Sequence, residues 1–162
     1  MLDTVNAERL RRQARQRPSA ATAALRRAIS LREVIYRVVV SVMRGRPPDP
    51  ADLDVFNRAL ASALRCSRVV PGRGGLVWIW KDDDRALEAM LRPIVESAAD
   101  LLTSDLRRRV GQCADDRGCG WLFLDMTKNR SRRWCEMADC GNRAKAQRHY
   151  QRTRGRGAVR GS

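Results

Sequence analysis

Four of the five cysteines in this 162-residue chain fall close together, as Cys113-x5-Cys119 and Cys135-x4-Cys140 with fifteen residues between the pairs. That spacing constrains the fold more than any other feature. Two close pairs can bring four thiolates to one tetrahedral zinc ion, and a closed set of four leaves no open position for a reacting water. Between them the segment holds Trp121, Leu122, Phe123, Leu124 and Trp134 as nearly all its bulky apolar matter. So small a core cannot stabilise a fold alone, and metal binding then supplies the folding free energy. Disulfide pairing is the competing use of the same residues. The N-terminal run Met1-Leu2-Asp3-Thr4-Val5-Asn6-Ala7-Glu8-Arg9 lacks an export signal's apolar stretch, so the expectation is a reducing, cytoplasmic compartment, which favours metal. Cys66, the remaining cysteine, reads as a small apolar residue at a helix end.

Charge narrows the partner. The chain carries a formal +15, and residues 126–162 alone hold eleven Lys and Arg against Glu136 and Asp139, a net of +9. A basic patch of that density points to a polyanion such as nucleic acid. No window approaches the eighteen consecutive apolar residues of a membrane span; the stretch at Val38-Val39-Val40 is bounded by Arg37 and Arg44.

Upstream, apolar periodicity predicts helices. Residues 3–17 form a short basic helix ended by Pro18, since the residue before proline is driven out of the α region. Ser19 is the predicted cap of a second helix reaching about Arg44, with Leu25, Ala28, Leu31, Ile35, Val38 and Val42 as its buried stripe. A third starts at Asp49 or Asp52 and buries Leu53, Phe56, Leu60 and Leu64. Arg68-Val69-Val70 and Leu76-Val77-Trp78-Ile79-Trp80 flank Pro71-Gly72-Arg73-Gly74-Gly75, a β-hairpin with a glycine-rich loop. Both faces of its second strand are apolar, so one should cover helices while the other lines a cavity or a subunit contact. Arg37, Trp78 and Trp80 are the candidate ligand-pocket residues. Asp82-Asp83-Asp84 suits helix capping better than a divalent ion. A helix over about 84–102 follows, kinked at Pro93, and Ser104 caps a short helix through Val110. The fold class is therefore mainly α with a small β-hairpin, an α+β chain.

In the cysteine segment, the strand Trp121–Leu124, the polar turn Thr127–Ser131 and a return through Arg132, Arg133 and Trp134 predict a hairpin, with the second cysteine pair at a helix N-terminus. This is the layout of a treble-clef-like zinc finger. On the helix, Lys145, Arg148 and Arg152 stand at i, i+3 and i+7 and share one face, with Arg143 and Tyr150 opposite; Tyr150 should pack. The candidate DNA-binding set is Lys128, Arg130, Arg132 and Arg133 from the turn with Arg143, Lys145, Arg148 and Arg152 from the helix, suited to phosphates and to one or two guanine edges. Residues 153–162 read as a disordered basic tail. The lone histidine, His149, lies in this basic helix and no nucleophile has an evident base, so an enzyme is not expected.

Cys119-Gly-Trp-Leu-Phe-Leu-Asp, Ser131-Arg-Arg-Trp-Cys135 and Cys140-Gly-Asn-Arg-Ala-Lys resemble the CGNR-type zinc finger of bacterial transcription regulators. Leu31-Arg-Glu-Val, the Pro47-Pro48 break and Ser97-Ala-Ala-Asp-Leu-Leu-Thr-Ser resemble the ABATE domain that precedes it. The resemblance implies a stress-linked regulator that binds duplex DNA through the finger and senses a small molecule through the N-terminal domain. It implies Cys113, Cys119, Cys135 and Cys140 as ligands of Zn2+, although the first interval, at five residues, is one longer than the likeness leads one to expect. Residues 1–110 would be the helical ABATE-like sensor and dimerisation domain, and 111–152 the finger. A homodimer through the apolar hairpin fits this reading. An RNA- or protein-interaction module without sequence-specific DNA binding is the alternative, because fold alone does not choose among them.

Overall fold

Proline and aspartate set the helix starts in the N-terminal half. A computed structural model describes residues 4–80, 86–115 and 118–158. Its chain divides into two units, Met1–Ser104 and Asp105–Ser162. In the first unit α1 (Thr4–Gln16) is followed by α2 (Pro18–Met43), and Pro18 itself occupies the first helical turn. Ser19 is thus inside the helix, and the N-cap is Arg17, which makes no side-chain cap bond. Proline serves here because its missing N–H is one that a helix start leaves unpaired in any case. In α3 (Pro50–Cys66) the expected cap is present: Asp49 accepts from the Ala51 N–H at 2.8 Å.

The core lies between α2, α3 and α5 (Leu91–Thr103): Val34 and Val38 meet Phe56, Ala63, Val95 and Ala98. Val38 and Val95 are the largest fully buried side chains, and each such valine contributes about 1.5–3 kcal/mol by leaving water. The predicted stripe on α2 holds at Leu31 and Val38, whereas Leu25 is 62% exposed and Val34 is buried in its place on the i, i+3, i+7 line. Leu64 of α3 is exposed as well.

The hairpin forms as β1 (Ser67–Gly72) and β2 (Gly75–Trp80), antiparallel in register from Ser67 opposite Trp80 to Gly72 opposite Gly75. Its ladder runs through Pro71, leaving Arg73 and Gly74 as the turn. The expected burial of one face does not occur. All six residues of β2 are exposed, Leu76 at 73% and Trp78 at 69%. The base of the ribbon is tied to α5, where Glu96 Oε1 accepts from Ser67 Oγ at 2.9 Å and from Trp80 Nε1 at 3.2 Å.

The single kinked helix expected over 84–102 is two helices, α4 (Ala86–Ala89) and α5, interrupted at Met90. Pro93 explains the break, since it cannot donate to the carbonyl of residue 89 and its ring collides with that carbonyl. Asp82, Asp83 and Asp84, read as a cap, lie outside the described residues.

In the second unit a 3-10 turn (Asp105–Arg109) replaces the expected short helix and leads into β3 (Val110–Gln112). This strand pairs antiparallel with β4 (Leu122–Leu124), from Val110 opposite Leu124 to Gln112 opposite Leu122. The partner of β4 is therefore upstream of Cys113, a correction to the hairpin expected with Arg132–Trp134. That return segment is held instead by the Ala114 N–H donating to the Arg133 carbonyl at 2.8 Å. A π-helical turn (Met137–Gly141) then opens α6 (Asn142–Ala158), so residues 153–158 continue the helix where a disordered tail was expected. Arg154, Arg156 and Ala158 are good helix formers set against the poor Gly155 and Gly157, and the packed start of α6 supplies the nucleus that a free segment lacks.

Candidate metal centre

Each pair of cysteines sits at a turn that the backbone fixes. Cys113 follows β3 directly and its N–H donates to the Trp121 carbonyl at 2.8 Å. Gly118, just before Cys119, takes a left-handed φ of +83°, a conformation that glycine adopts without steric cost. The five-residue interval therefore closes with Cys113 in place. Cys135 and Cys140 are brought together by the π-helical turn, closed by the Gly141 N–H donating to the Glu136 carbonyl at 3.1 Å.

The four sulfurs lie within 4.8 Å of one another, with 3.6 Å between Cys119 and Cys135 and 3.7 Å between Cys135 and Cys140. A tetrahedron with Zn–S bonds of about 2.3 Å has edges of about 3.8 Å, so the spacing fits a zinc ion. A disulfide needs sulfurs at about 2.05 Å, which excludes the competing reading for all four thiols. Cys113 and Cys140 are buried, Cys119 and Cys135 half-buried. A four-thiolate zinc ion has no vacant ligand position and supplies structural cross-linking.

The thiols differ in how readily they ionise. Burial opposes charge on Cys113, but hydrogen bonds from the backbone of Cys135 and Asp115 and from neighbouring thiols bring its pKa down to about 7. Burial pushes Cys140 up to about 12, against the hydrogen bond from Arg143. Cys135 is also raised, by burial and then by its bond to Cys119. A bound dication would deprotonate them all, at the cost of pH-dependent affinity.

Around the thiols each residue of Cys140-Gly141-Asn142-Arg143 has its own contact. A Cβ on Gly141 would collide with the Met137 thioether. Asn142 Nδ2 donates to the Ala138 carbonyl at 3.0 Å, fastening the turn. Arg143 donates to Cys140 Sγ at 3.1 Å and pairs with the buried Asp115 carboxylate at 3.0 Å. Four thiolates and one dication leave a net charge of −2, which Arg143 partly offsets, and such outer groups orient ligands and tune affinity. Nothing in the spacing of Asp115 marked it as part of this set.

The candidate DNA-contacting residues divide into two groups. Arg143 is turned to the sulfurs. Arg132 is exposed but anchored: its guanidinium donates to the Cys135 carbonyl and, at 2.9 Å, to the Trp134 carbonyl, and lies 4.7 Å from the Phe123 ring centroid. Lys128, Arg130, Arg133, Lys145 and Arg148 are exposed, as Arg132 and Arg143 are, but make no contact with the sulfur cluster among the described residues. Arg133 and Arg148 lie over the same indole, 5.3 and 5.9 Å from Trp134, which joins the return segment to the Lys145 face of α6. The Trp134 Nε1 donor is buried without an acceptor among the described residues. Arg152 lies on α6, with its side chain outside the described residues. Tyr150, expected to pack, is 58% exposed.

Arg37, Trp78 and Trp80 are not brought together into a cavity. Arg37 grips Asp52 through two nitrogens at 2.8 and 2.6 Å, which holds the Asp52 carboxyl below the usual carboxylate range. Trp80 is bonded to Glu96 and Trp78 points into solvent. A cleft of this unit is lined by other residues, among them Arg58, Arg92 and Val95.

Comparison with known families agrees with this geometry. Residues 109–153 match the family described as "CGNR zinc finger". Residues 4–105 match the family ABATE, described as "Putative stress-induced transcription regulator". No curated protein matches the chain. Neither matched family is described as an enzyme, and no helix among the described residues is long and apolar enough to cross a membrane. With a cluster of four thiols at tetrahedral spacing in its C-terminal unit and more than half its length within the ABATE match, the chain belongs to the ABATE family and carries a CGNR zinc finger.

Proposed function

We propose that this chain is a DNA-binding transcription regulator, cytoplasmic and without catalytic activity, whose zinc-held C-terminal unit docks on duplex DNA. The observation that carries the reading is the basic ridge around Trp134. Arg133 and Arg148 flank one indole, Lys145 shares the Arg148 face of α6, and Lys128 and Arg130 project from the preceding turn. Zinc would fix the start of α6 against the return segment, so that cations from two stretches present one surface. Arg132 and Arg143, also exposed, have their guanidiniums engaged at the metal end and so tie this surface to the sulfur cluster.

Phosphate contacts release counterions. A protein making about six of them loses about a thousandfold in affinity between 50 and 200 mM salt. The test is a salt-titrated binding measurement on duplex DNA, with the combined substitution of Lys145, Arg148 and Arg152 by alanine. A shallower salt slope and weaker binding in the variant support the assigned face; an unchanged slope rejects it. One observation favours the second reading: Trp121 is 71% exposed, and a solvent-facing indole suits stacking on an unpaired base. Tighter binding to single-stranded RNA than to duplex DNA at equal salt, lost in Trp121→Ala, would select that alternative.

The same reading includes a homodimer through the exposed ribbon of β1 and β2. Isolated two-stranded ribbons are marginal, and apolar side chains exposed on both faces suit a second copy. Sedimentation equilibrium checks it, with Trp78→Ser expected to shift the chain towards monomer. A small-molecule effector for the N-terminal unit completes the proposal.

A further inference from the structure

A groove of about 220 Å3 runs between the return segment and the first turns of α6, with Ala114, Arg133, Trp134, Ala144, Arg148 and Gln151 in its lining. It is smaller than the sites that enclose a whole small molecule. Ala114 and Ala144 are short side chains, so a compact group can come close to the backbone there.

The indole of Trp134 brings to this groove a donor with nothing to donate to. Its Nε1 is buried and has no acceptor among the described residues. A buried N–H left unmet is costly, and native chains rarely keep one without a use. Trp80 shows the ordinary outcome, its Nε1 meeting Glu96 at 3.2 Å. Trp134 is held by its neighbours. Arg132 donates to its carbonyl at 2.9 Å, the Ala114 N–H holds the carbonyl of Arg133 at 2.8 Å, and the next residue, Cys135, belongs to the sulfur cluster.

What lies over the ring is movable. The guanidiniums of Arg133 and Arg148 stand 5.3 and 5.9 Å from its centroid, and both side chains are exposed. A cation–π contact at an exposed site is weak beside a charge-assisted hydrogen bond to phosphate, so the exchange is favourable. Arg148 also donates through Nε to the Ala144 carbonyl at 3.1 Å, which keeps its planar end beside the groove. Indole N–H and guanidinium only donate, so the group that meets all three must be an acceptor with several lone pairs. On a face assigned to duplex DNA, that group is a backbone phosphate, whose two free oxygens can be met by different donors.

We propose that this groove seats one backbone phosphate of duplex DNA, one oxygen on Trp134 Nε1 and the other shared by Arg133 and Arg148, which leave the indole to meet it. Trp134 would fix the register of α6 on the duplex and carry no base information. The site deepens the regulator reading and rests on it. One orphaned donor, and not a sum of charges, carries it.

The test uses the full zinc-loaded chain with nitrogen-15-labelled tryptophan, followed by NMR during titration with a short duplex at low salt. The Trp134 Nε1–H resonance, assigned by its loss in Trp134→Phe, is expected to move downfield, and further than those of Trp78 and Trp80. Replacing Trp134 by its benzothiophene analogue keeps the two-ring shape and removes only the N–H. That chain should bind the duplex about tenfold or more weakly, the scale of a hydrogen bond to a charged group. Should Trp134→Phe lose its zinc, assignment falls to Trp78→Phe, Trp80→Phe and Trp121→Phe by elimination. A resonance that stays in place at saturation, or wild-type affinity in the analogue chain, would overturn the seat. Inorganic phosphate, against sodium chloride of equal ionic strength, separates the two readings. Movement with phosphate but no duplex binding keeps the seat and removes the regulator, whereas duplex binding without movement removes the seat alone. No response to either ligand removes both, and movement with single-stranded RNA in place of the duplex rejects the duplex assignment.

Discussion

Arg143 shows how an exposed basic residue in a basic helix can still serve the sulfur cluster. Its guanidinium reaches both Cys140 Sγ and Asp115, so its charge is directed to the sulfur cluster. Arg143→Ala is expected to lower zinc affinity about 10–100-fold, the usual effect of removing an outer-shell partner, as read by competition with a chromogenic chelator. Arg143→Lys should recover part of it. Asp125 makes the corresponding prediction for pH. Its buried carboxylate accepts from the Thr127 hydroxyl at 2.6 Å and from the backbone N–H groups of Thr127 and Arg132, each at 2.9 Å. The Thr127 hydroxyl, then those N–H groups, hold its pKa below the ordinary value. A depressed carboxylate stabilises the fold fully above its unfolded pKa of about 4 and loses that contribution as pH falls through the lower folded value. Chemical denaturation of wild type and Asp125→Asn between pH 7 and 3 should therefore converge at the acid end. Comparing the two chains cancels the thiol protonation that both share.

At the level of elements, legibility followed the strength of the local signal. The hairpin of β1 and β2 was readable because β-branched and aromatic residues flank a glycine run, and the start of α3 because Asp49 precedes Pro50. The strand β3 was not, since Val110-Gly111-Gln112 is three residues with a glycine at its centre. Its pairing becomes intelligible only beside Phe123, whose ring lies where a Cβ on Gly111 would be. Exposure of β2 was illegible for a different reason: alternation tells which residues share a face, not whether anything covers it. The turn between β4 and the return segment carries its own prediction. Arg130 has φ +48°, a left-handed conformation that costs an L-residue about 1–2 kcal/mol. Arg130→Gly should leave thermal stability equal or raised by up to about 1 kcal/mol while weakening DNA binding. A loss of stability in a melting experiment would show that the side chain has a structural task.

For the molecule as a whole, the division at Ser104 separates two sources of stability. The first unit has a helical core around Val38, Phe56 and Val95, whereas the second, among its described residues, buries Cys113 and Cys140 but no large apolar side chain. The cysteine pairing was legible from spacing, yet the allocation of arginines between metal and surface was not, because it depends on which way each side chain turns. Metal removal by a strong chelator is expected to melt residues 105–158 and leave the core of the first unit folded. Circular dichroism should then retain the signal of α2, α3 and α5 and lose that of α6, and readdition of zinc should restore it. One feature of the finger gives this molecule a built-in optical gauge. Trp134, its N–H sealed from water, sits under the planes of Arg133 and Arg148. Any polyanion that draws either guanidinium away must alter the light this indole emits, so docking would report itself from within, without a label.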